Sequence, residues 1–157
     1  MGKFDIKLVK DNDRTTLHLV GVIDEDVDFT KFSLSGYPSM EIDLSLVKGI
    51  NSCGIREWIK WIRTAGEAPI TYIKCAKLIV DQINMVDGFL PATGKVRSFY
   101  VPYYSDKNGT EKNILFQYGT EFSESGVIPP ESVLDADGSP MEMDVIEAKY
   151  FRFISKK

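Results

Sequence analysis

Cysteine, histidine and long apolar runs are scarce in this 157-residue sequence. The two cysteines, Cys53 and Cys75, fall in different predicted elements, and without a secretion signal we expect free thiols in a reducing cytosol. The one histidine, His18, lies in an apolar strand pattern, which favours a structural ring paired with a backbone carbonyl. No apolar run approaches membrane-spanning length, and the first residues lack the apolar core of a signal peptide. The sequence therefore predicts a cytoplasmic protein that does not insert into a membrane.

Catalytic motifs and an excess of basic residues are also missing. The 19 Lys and Arg are outnumbered by 23 Asp and Glu, so the net charge is −4. This balance argues against nucleic acid as a partner, because phosphate neutralisation needs clustered cations. There is no G-x-S-x-G, P-loop, His-based metal motif or Cys/His pair. Asp43 could converge with Asp24 and Glu25 at strand ends, but carboxylates without a base or metal motif are weak evidence for catalysis. We predict no enzyme, no cofactor and no metal site.

What the sequence does contain is a strand, a turn and an amphipathic helix within residues 40–65. Apolar residues alternate from Met40 to Leu44, which is typical of a strand, and recur at helical spacing from Ile55 to Ala65. Between them, Asn51 and Ser52 are both good helix N-cap residues. A small hydroxyl is therefore expected where free N–H groups and the positive end of a helix dipole meet. Such a place favours a bound anion, or a serine that becomes negatively charged through modification.

The elements in chain order predict an α/β fold. Strands are predicted at residues 4–9, 15–23, 40–45, 70–74 and 95–103, and helices at about 29–34, 55–65 and 77–90. This alternation implies a mostly parallel sheet with helices packed on it and an antiparallel hairpin at one edge. Residues 1–101 are then one domain, and residues 102–157 a β-rich extension packed on it. The extension contains a hairpin from FYVPY and NILFQY, and residues 141–154 form a short helix followed by a strand, or one of the two.

The segment IDLSLVKGINSCGI resembles the signature of STAS domains, the family of bacterial anti-sigma-factor antagonists and sulfate-transporter tails. In that family a strand ending in Asp-Leu-Ser is followed by a short apolar turn, then Asp-Ser-Ser-Gly-Leu, then a helix. The corresponding residues here are Asp43-Leu44-Ser45, then Ile50, then Asn51-Ser52-Cys53-Gly54-Ile55. The resemblance covers roughly residues 4–101 and implies a STAS-like fold.

The resemblance also implies a non-catalytic role in signal transduction. In the antagonist subfamily, an anti-sigma-type kinase phosphorylates the first serine of the motif, which corresponds to Ser52. A phosphate at a helix N-terminus would be received by N–H groups and would repel a bound protein, so it could act as a switch. The implied partner-binding residues are Asn51, Ser52, Cys53, Gly54 and Arg56. Asn51 replaces the aspartate of the family and Cys53 replaces its second serine, so a kinase that reads the carboxylate would meet a different side chain.

Several alternatives stay open at the level of sequence. The same helix N-terminus could bind a small anion, a nucleotide or a lipid head group. Ser52 could instead be only a capping residue. The chain could also form a homodimer, since Trp61 lies at the margin of the helix stripe and is either an interface anchor or a cap on the core.

The last third resembles a zinc ribbon that has lost its cysteines. Residues 104–109 (YSDKNG) and 134–138 (LDADG) have the spacing of two Cys-x-x-Cys-Gly knuckles. Serine, asparagine, leucine and aspartate do not supply the thiolates or imidazoles of a closed tetrahedral site, so we predict no structural zinc. An unrelated β-hairpin extension is the alternative.

Overall fold

The structure is a computed structural model that describes residues 4–155, and its largest element is a five-stranded sheet. The strands lie across the sheet in chain order: β1 (Asp5–Asp11), β2 (Arg14–Ile23), β3 (Met40–Ile50), β4 (Ile70–Ile73) and β5 (Gly94–Val96). β1 pairs with β2 in the antiparallel sense, and the other neighbours are parallel. The α/β class is therefore confirmed, including a mostly parallel sheet with an antiparallel hairpin at its edge.

Two helices complete this part of the molecule, α1 (Ser52–Arg63) and α2 (Lys77–Met85). The core lies between α1 and one face of the sheet, where Trp58 is fully buried. Its Nε1 donates to the Tyr72 hydroxyl and to the Phe89 carbonyl, each at 3.1 Å. Trp58 thereby ties α1 to β4 and to the segment that leads into β5. Alternate residues of β2, β3 and β4 supply the rest of this buried layer: Leu17, Leu19, Ile23, Ile42, Leu44 and Ile70.

A second, antiparallel sheet carries the last third of the chain. It has the order β10 (Glu142–Met143), β6 (Ser98–Tyr104), β7 (Glu111–Gln117). Beside it pack a hairpin of two short strands and two short helices. The strands are β8 (Phe122–Ser123) and β9 (Gly126–Val127), and the helices are α3 (Glu147–Tyr150) and α4 (Arg152–Ser155). The predicted hairpin of FYVPY and NILFQY is confirmed as β6 and β7. The division placed after residue 101 falls inside β6, which belongs to the second sheet along its whole length.

Arg97 explains why the single strand predicted over residues 95–103 is two strands. Its backbone N–H donates to the Tyr72 carbonyl at 2.9 Å, whereas its carbonyl accepts from the Tyr118 N–H at 2.8 Å. The chain therefore leaves the first sheet at this residue and enters the second.

Three further predictions on local structure were wrong. The helix expected over residues 29–34 is one 3-10 turn, Phe29–Lys31, because the Asp28 side chain accepts from the Thr30 N–H and the chain is extended again at Phe32. Helix α2 stops at Met85 rather than residue 90, since Val86 is already extended. Residues 141–154 run in the reverse order to that expected, with the strand β10 before the helices α3 and α4.

Trp61 lies in the core and is not exposed. Only 3% of it is accessible, its ring stacks on Phe29 with 4.5 Å between centroids, and its Nε1 donates to the Phe32 carbonyl at 2.7 Å. The interpretation of Trp61 as an interface anchor was wrong, and the alternative, a cap on the core, is what the structure shows. Within residues 4–155, no helix combines the length and the apolar character needed to cross a membrane.

Candidate functional site

The first turn of α1 is capped by Asn51 and not by Ser52. The Asn51 Oδ1 accepts from the Gly54 N–H at 2.9 Å, and its backbone carbonyl accepts from the Ile55 N–H at 2.8 Å. Ser52 is consequently the first residue of the helix proper, and it is exposed. The alternative in which Ser52 serves as the cap is therefore excluded by the position of Asn51.

Gly54 permits β2 to end directly against this turn. A Cβ atom at position 54 would lie 2.0 Å from the Ile23 carbonyl oxygen, far inside the contact distance of the two atoms. The same carbonyl accepts from the Asn51 N–H at 3.2 Å. Because of this close approach, Ser52 lies beside the carboxyl ends of both β2 and β3.

The predicted partner-binding residues differ in what they present to solvent. Asn51, Ser52 and Arg56 are exposed, whereas Cys53 is half-buried. Gly54 is buried, so it shapes the turn and offers no side chain to a partner. Both cysteines of the chain are free thiols, as expected.

A carboxylate already lies at the edge of this helix N-terminus. The Asn51 Nδ2 donates to the Glu25 Oε1 at 2.8 Å, and this hydrogen bond lowers the pKa of Glu25 below its ordinary value. The residue that departs from the family motif therefore holds the acidic loop of residues 24–28 against α1. This contact was not predicted from the sequence. It requires the asparagine, because an aspartate at position 51 would repel Glu25 and has no N–H to donate.

His18 and Asp43 form a second polar site on the opposite face of the sheet. The parallel register of β2 and β3 places them directly opposite each other, with 2.9 Å between Nδ1 and Oδ2. The expectation that His18 pairs with a backbone carbonyl was wrong, because a carboxylate lies within reach. The other Asp43 oxygen accepts from the Ser45 N–H at 2.9 Å and from its hydroxyl at 2.7 Å.

The arrangement around Asp43 does not form a catalytic relay. In a serine nucleophile, the hydroxyl donates to an imidazole that removes its proton. Ser45 donates to Asp43 instead, and the hydrogen bonds of Asp43 are to His18 and Ser45 rather than to Asp24 or Glu25. The carboxylates that could have converged at strand ends therefore belong to two separate sites.

Glu41 lies on the same face as Asp43 and is also buried. It forms ion pairs with Arg97 and with Arg14, the latter at 3.6 Å, and accepts from the Thr16 hydroxyl at 3.4 Å. Two guanidinium groups and a hydroxyl therefore surround this one buried carboxylate. It marks the amino end of β3, away from Ser52.

The α1 N-terminus does not line the four cavities of the described residues. Four cavities of about 300 to 580 Å³ open on the described residues, and neither Asn51 nor Ser52 lines any of these four. A small-molecule sensor using this turn would need a concave surface with several converging donors.

The two turns that resemble zinc knuckles do meet, and a side-chain amide connects them. The Asn108 Nδ2 carries two hydrogens and lies within hydrogen-bond distance of three acceptors: Asp135 Oδ2 at 2.7 Å, Asp137 Oδ2 at 2.8 Å and Ser139 Oγ at 3.2 Å. We refer to Asn108, Asp135, Asp137 and Ser139 as the Asn108 clasp. The amide lowers the pKa of Asp135. In the described part of the chain, no group of three or more His, Cys, Asp or Glu is arranged to hold a metal ion.

Comparison with known proteins returned no match to a family model, a curated protein or a solved structure. The STAS resemblance therefore depends on the motif of residues 42–55 and on the order of the elements.

Proposed function

We propose that this chain is a STAS-like signalling module that binds a protein partner through the surface around Ser52, and that phosphorylation of Ser52 switches the binding. The observation that carries the proposal is the exposed Ser52 at the first position of α1, with the cap supplied by Asn51. Because Asn51 supplies the cap, the Ser52 hydroxyl is not needed for it. Ser52 can accept a phosphate while the helix keeps its start.

The arrangement of the elements supports a STAS-like fold. A hairpin, β1 and β2, precedes β3, and α1 and α2 connect β3, β4 and β5 within a sheet of order β1-β2-β3-β4-β5. The motif residues lie at the junction of β3 and α1, as the family pattern requires. The carboxyl ends of parallel strands are also where open α/β sheets usually carry their functional surface.

An exposed apolar pair also lies on β2 and β3, before the strand ends that flank Ser52. Val20 on β2 and Leu46 on β3 lie opposite each other and are 39% and 48% exposed. Exposed apolar side chains beside polar residues are typical of an interface centre and its rim. Arg56 on α1, and the acidic loop that Glu25 anchors, supply charged groups around the turn.

Phosphorylation would act on a surface that is already negative. A phosphate adds close to two negative charges, and Glu25 is held on the neighbouring residue, Asn51. The two anions repel each other, so the loop of residues 24–28 is expected to move away. The switch thus combines added charge with displacement of the acidic loop. An anti-sigma-type kinase of a bacterial cytoplasm is the partner class that the resemblance supports.

The test is a pull-down from native lysate with four forms of the chain. Wild type, Ser52→Ala and the control Ser132→Asp should capture the same partner, whereas Ser52→Asp should lose it. Ser132 is exposed in the last third of the chain, so Ser132→Asp adds the same charge elsewhere. Intact-mass analysis should find an added phosphate on the wild type that is absent from Ser52→Ala. Equal capture by all four forms, with no phosphate on Ser52, would refute the proposal.

A further inference from the structure

The outer edge of β1 is an unpaired strand edge. β1 is the first strand in the sheet order, so within residues 4–155 no strand pairs with its outer side. It is seven residues long, and two consecutive apolar residues at its centre, Leu8 and Val9, are 40% and 43% exposed. Such an edge is a template for another strand unless charges prevent it.

The charges of β1 follow a definite pattern on the two faces of the sheet. Lys7, Val9 and Asp11 share the face of His18, Thr16 and Arg14, which lie opposite them on β2. Leu8 and Lys10 share the other face, opposite Leu17 and Thr15. Lys7 and Lys10 protect the edge against most foreign strands, since lysine on an edge strand disfavours pairing.

We propose that a second copy of this chain pairs with this edge, β1 against β1 in the antiparallel sense, with Val9 facing Val9 across a two-fold axis. In a sheet that continues across such an axis, opposed residues of the two strands point to the same face. The axis must therefore pass between two copies of the same residue. With the axis at Val9, Lys7 of each copy faces Asp11 of the other. Leu8 of each copy faces Lys10 of the other, whose aliphatic stem can cover it.

Other positions of the axis are unfavourable. An axis at Lys7 or at Lys10 would place two identical lysines opposite each other. An axis at Leu8 would set Asp5 against Asp11, and like charges directly opposite are destabilising. An axis at Ile6 would leave Val9 without a partner among the described residues. Within β1 the charge pattern is therefore complementary to itself in one register, in which Asp5 lies opposite Asp13 of the turn that follows the strand. In that register the lysines no longer protect the edge.

Disulfide trapping tests the position of the axis. Opposed residues of an antiparallel pair have Cα atoms about 4.5 to 5.5 Å apart, within the range that a disulfide spans. In a Cys53→Ser background, Val9→Cys should form a covalent dimer under mild oxidation. Val20→Cys, which is similarly exposed but lies on β2, should remain a monomer. Equal crosslinking of the two variants, or none of Val9→Cys, would overturn the proposal.

Charge exchange tests the register without cysteine. Sedimentation equilibrium should show a wild-type dimer. Either K7D or D11K should raise the dissociation constant of the dimer by about tenfold or more, because both Lys7–Asp11 pairs across the axis become repulsive. The double variant K7D/D11K should restore the dimer. A wild type that is monomeric at all concentrations, or a double variant no better than the singles, would contradict the proposal. Circular dichroism confirms that each variant is folded, and S52D should dimerise normally, since this surface is distinct from that around Ser52.

Discussion

At the scale of the residue, the neighbours Asn51 and Ser52 have different roles: Asn51 makes the contacts of the helix N-terminus, and Ser52 presents an exposed hydroxyl. Asn51 caps the helix through Oδ1 and holds Glu25 through Nδ2. Ser52 has no part in either contact and remains exposed. Asn51 stands where the STAS motif that this segment resembles has an aspartate, and its amide changes what surrounds the serine.

Alanine substitutions should show that Asn51, and not Ser52, stabilises the start of α1. Asn51→Ala removes the cap and should lower the free energy of unfolding by about 1 kcal/mol. Ser52→Ala should change it by less than about 0.5 kcal/mol, as is usual for an exposed substitution. Urea unfolding followed by circular dichroism measures both. A larger loss for Ser52→Ala than for Asn51→Ala would show that the serine is the cap.

Gly49 on β3 and Gly54 on α1 provide a matched pair of substitutions that tests the close approach of β2 and α1. Gly54→Ala would place its Cβ 2.0 Å from the Ile23 carbonyl, and we expect a loss of about 2 kcal/mol or more. Gly49→Ala meets its nearest atom, on Val22, at 3.7 Å, an ordinary contact. Its unfolding midpoint in urea should stay close to that of the wild type. Equal effects of the two substitutions would contradict the packing described for Gly54.

At the scale of the element, the Asn108 clasp holds two turns together through side-chain hydrogen bonds. Asn108 follows β6, and its three acceptors lie between β9 and β10, so the amide connects distant parts of the second sheet. The contacts between the two turns are hydrogen bonds from one amide to carboxylates and a hydroxyl. The stability of these turns should depend on the charge of Asp135.

The clasp should weaken in acid. The pKa of Asp135 is held below its ordinary value of 3.8, first by the Asn108 amide, so the carboxylate contributes stability above that pH. This contribution is lost as the pH falls below about 4 towards the depressed folded-state value. Asn108→Ala should lower the unfolding midpoint at pH 7 and lessen the additional loss in acid. Asn113→Ala, an exposed change on β7, is the control, and an equal acid response of the two variants would contradict the clasp.

The elements of the first sheet could be predicted because their residues follow simple periods. The alternation from Met40 to Leu44 and the helical spacing from Ile55 onward correspond to β3 and α1. The pairing of His18 with Asp43 could not be predicted, because it depends on the register between two parallel strands. The division of roles between Asn51 and Ser52 was likewise hidden, since both residue types cap helices equally well.

At the scale of the whole molecule, one buried ring joins the last third of the chain into a single core. Phe99 is fully buried at the start of β6. Its ring contacts a set of aromatic residues from β7, β8 and the closing helices: Phe116, Phe122, Tyr150, Phe151 and Phe153. Asn84 on α2 accepts from the Phe153 N–H and donates to the Tyr150 carbonyl, both at 2.9 Å. The closing helices are therefore fixed to the first part of the chain.

Because of these shared contacts, the chain should unfold in one transition. Fluorescence of Trp58 and Trp61, both in α1, should report the same urea midpoint as far-ultraviolet circular dichroism, which sees both sheets. Phe99→Ala should reduce the free energy of unfolding by about 3 to 5 kcal/mol and shift both signals together. Two separate transitions, with the tryptophan signal unaffected by Phe99→Ala, would show two independent domains.

The dissociation constant between the chain and the protein that it captures tests the central claim most directly. Wild type and Ser52→Asp should differ by about tenfold or more, equivalent to roughly 1.4 kcal/mol of binding free energy. Asn113→Asp, which adds the same charge on β7, should bind as the wild type does. A Ser52→Asp variant that binds as tightly as the wild type would contradict the account, and would reduce Ser52 to an exposed residue of the first turn.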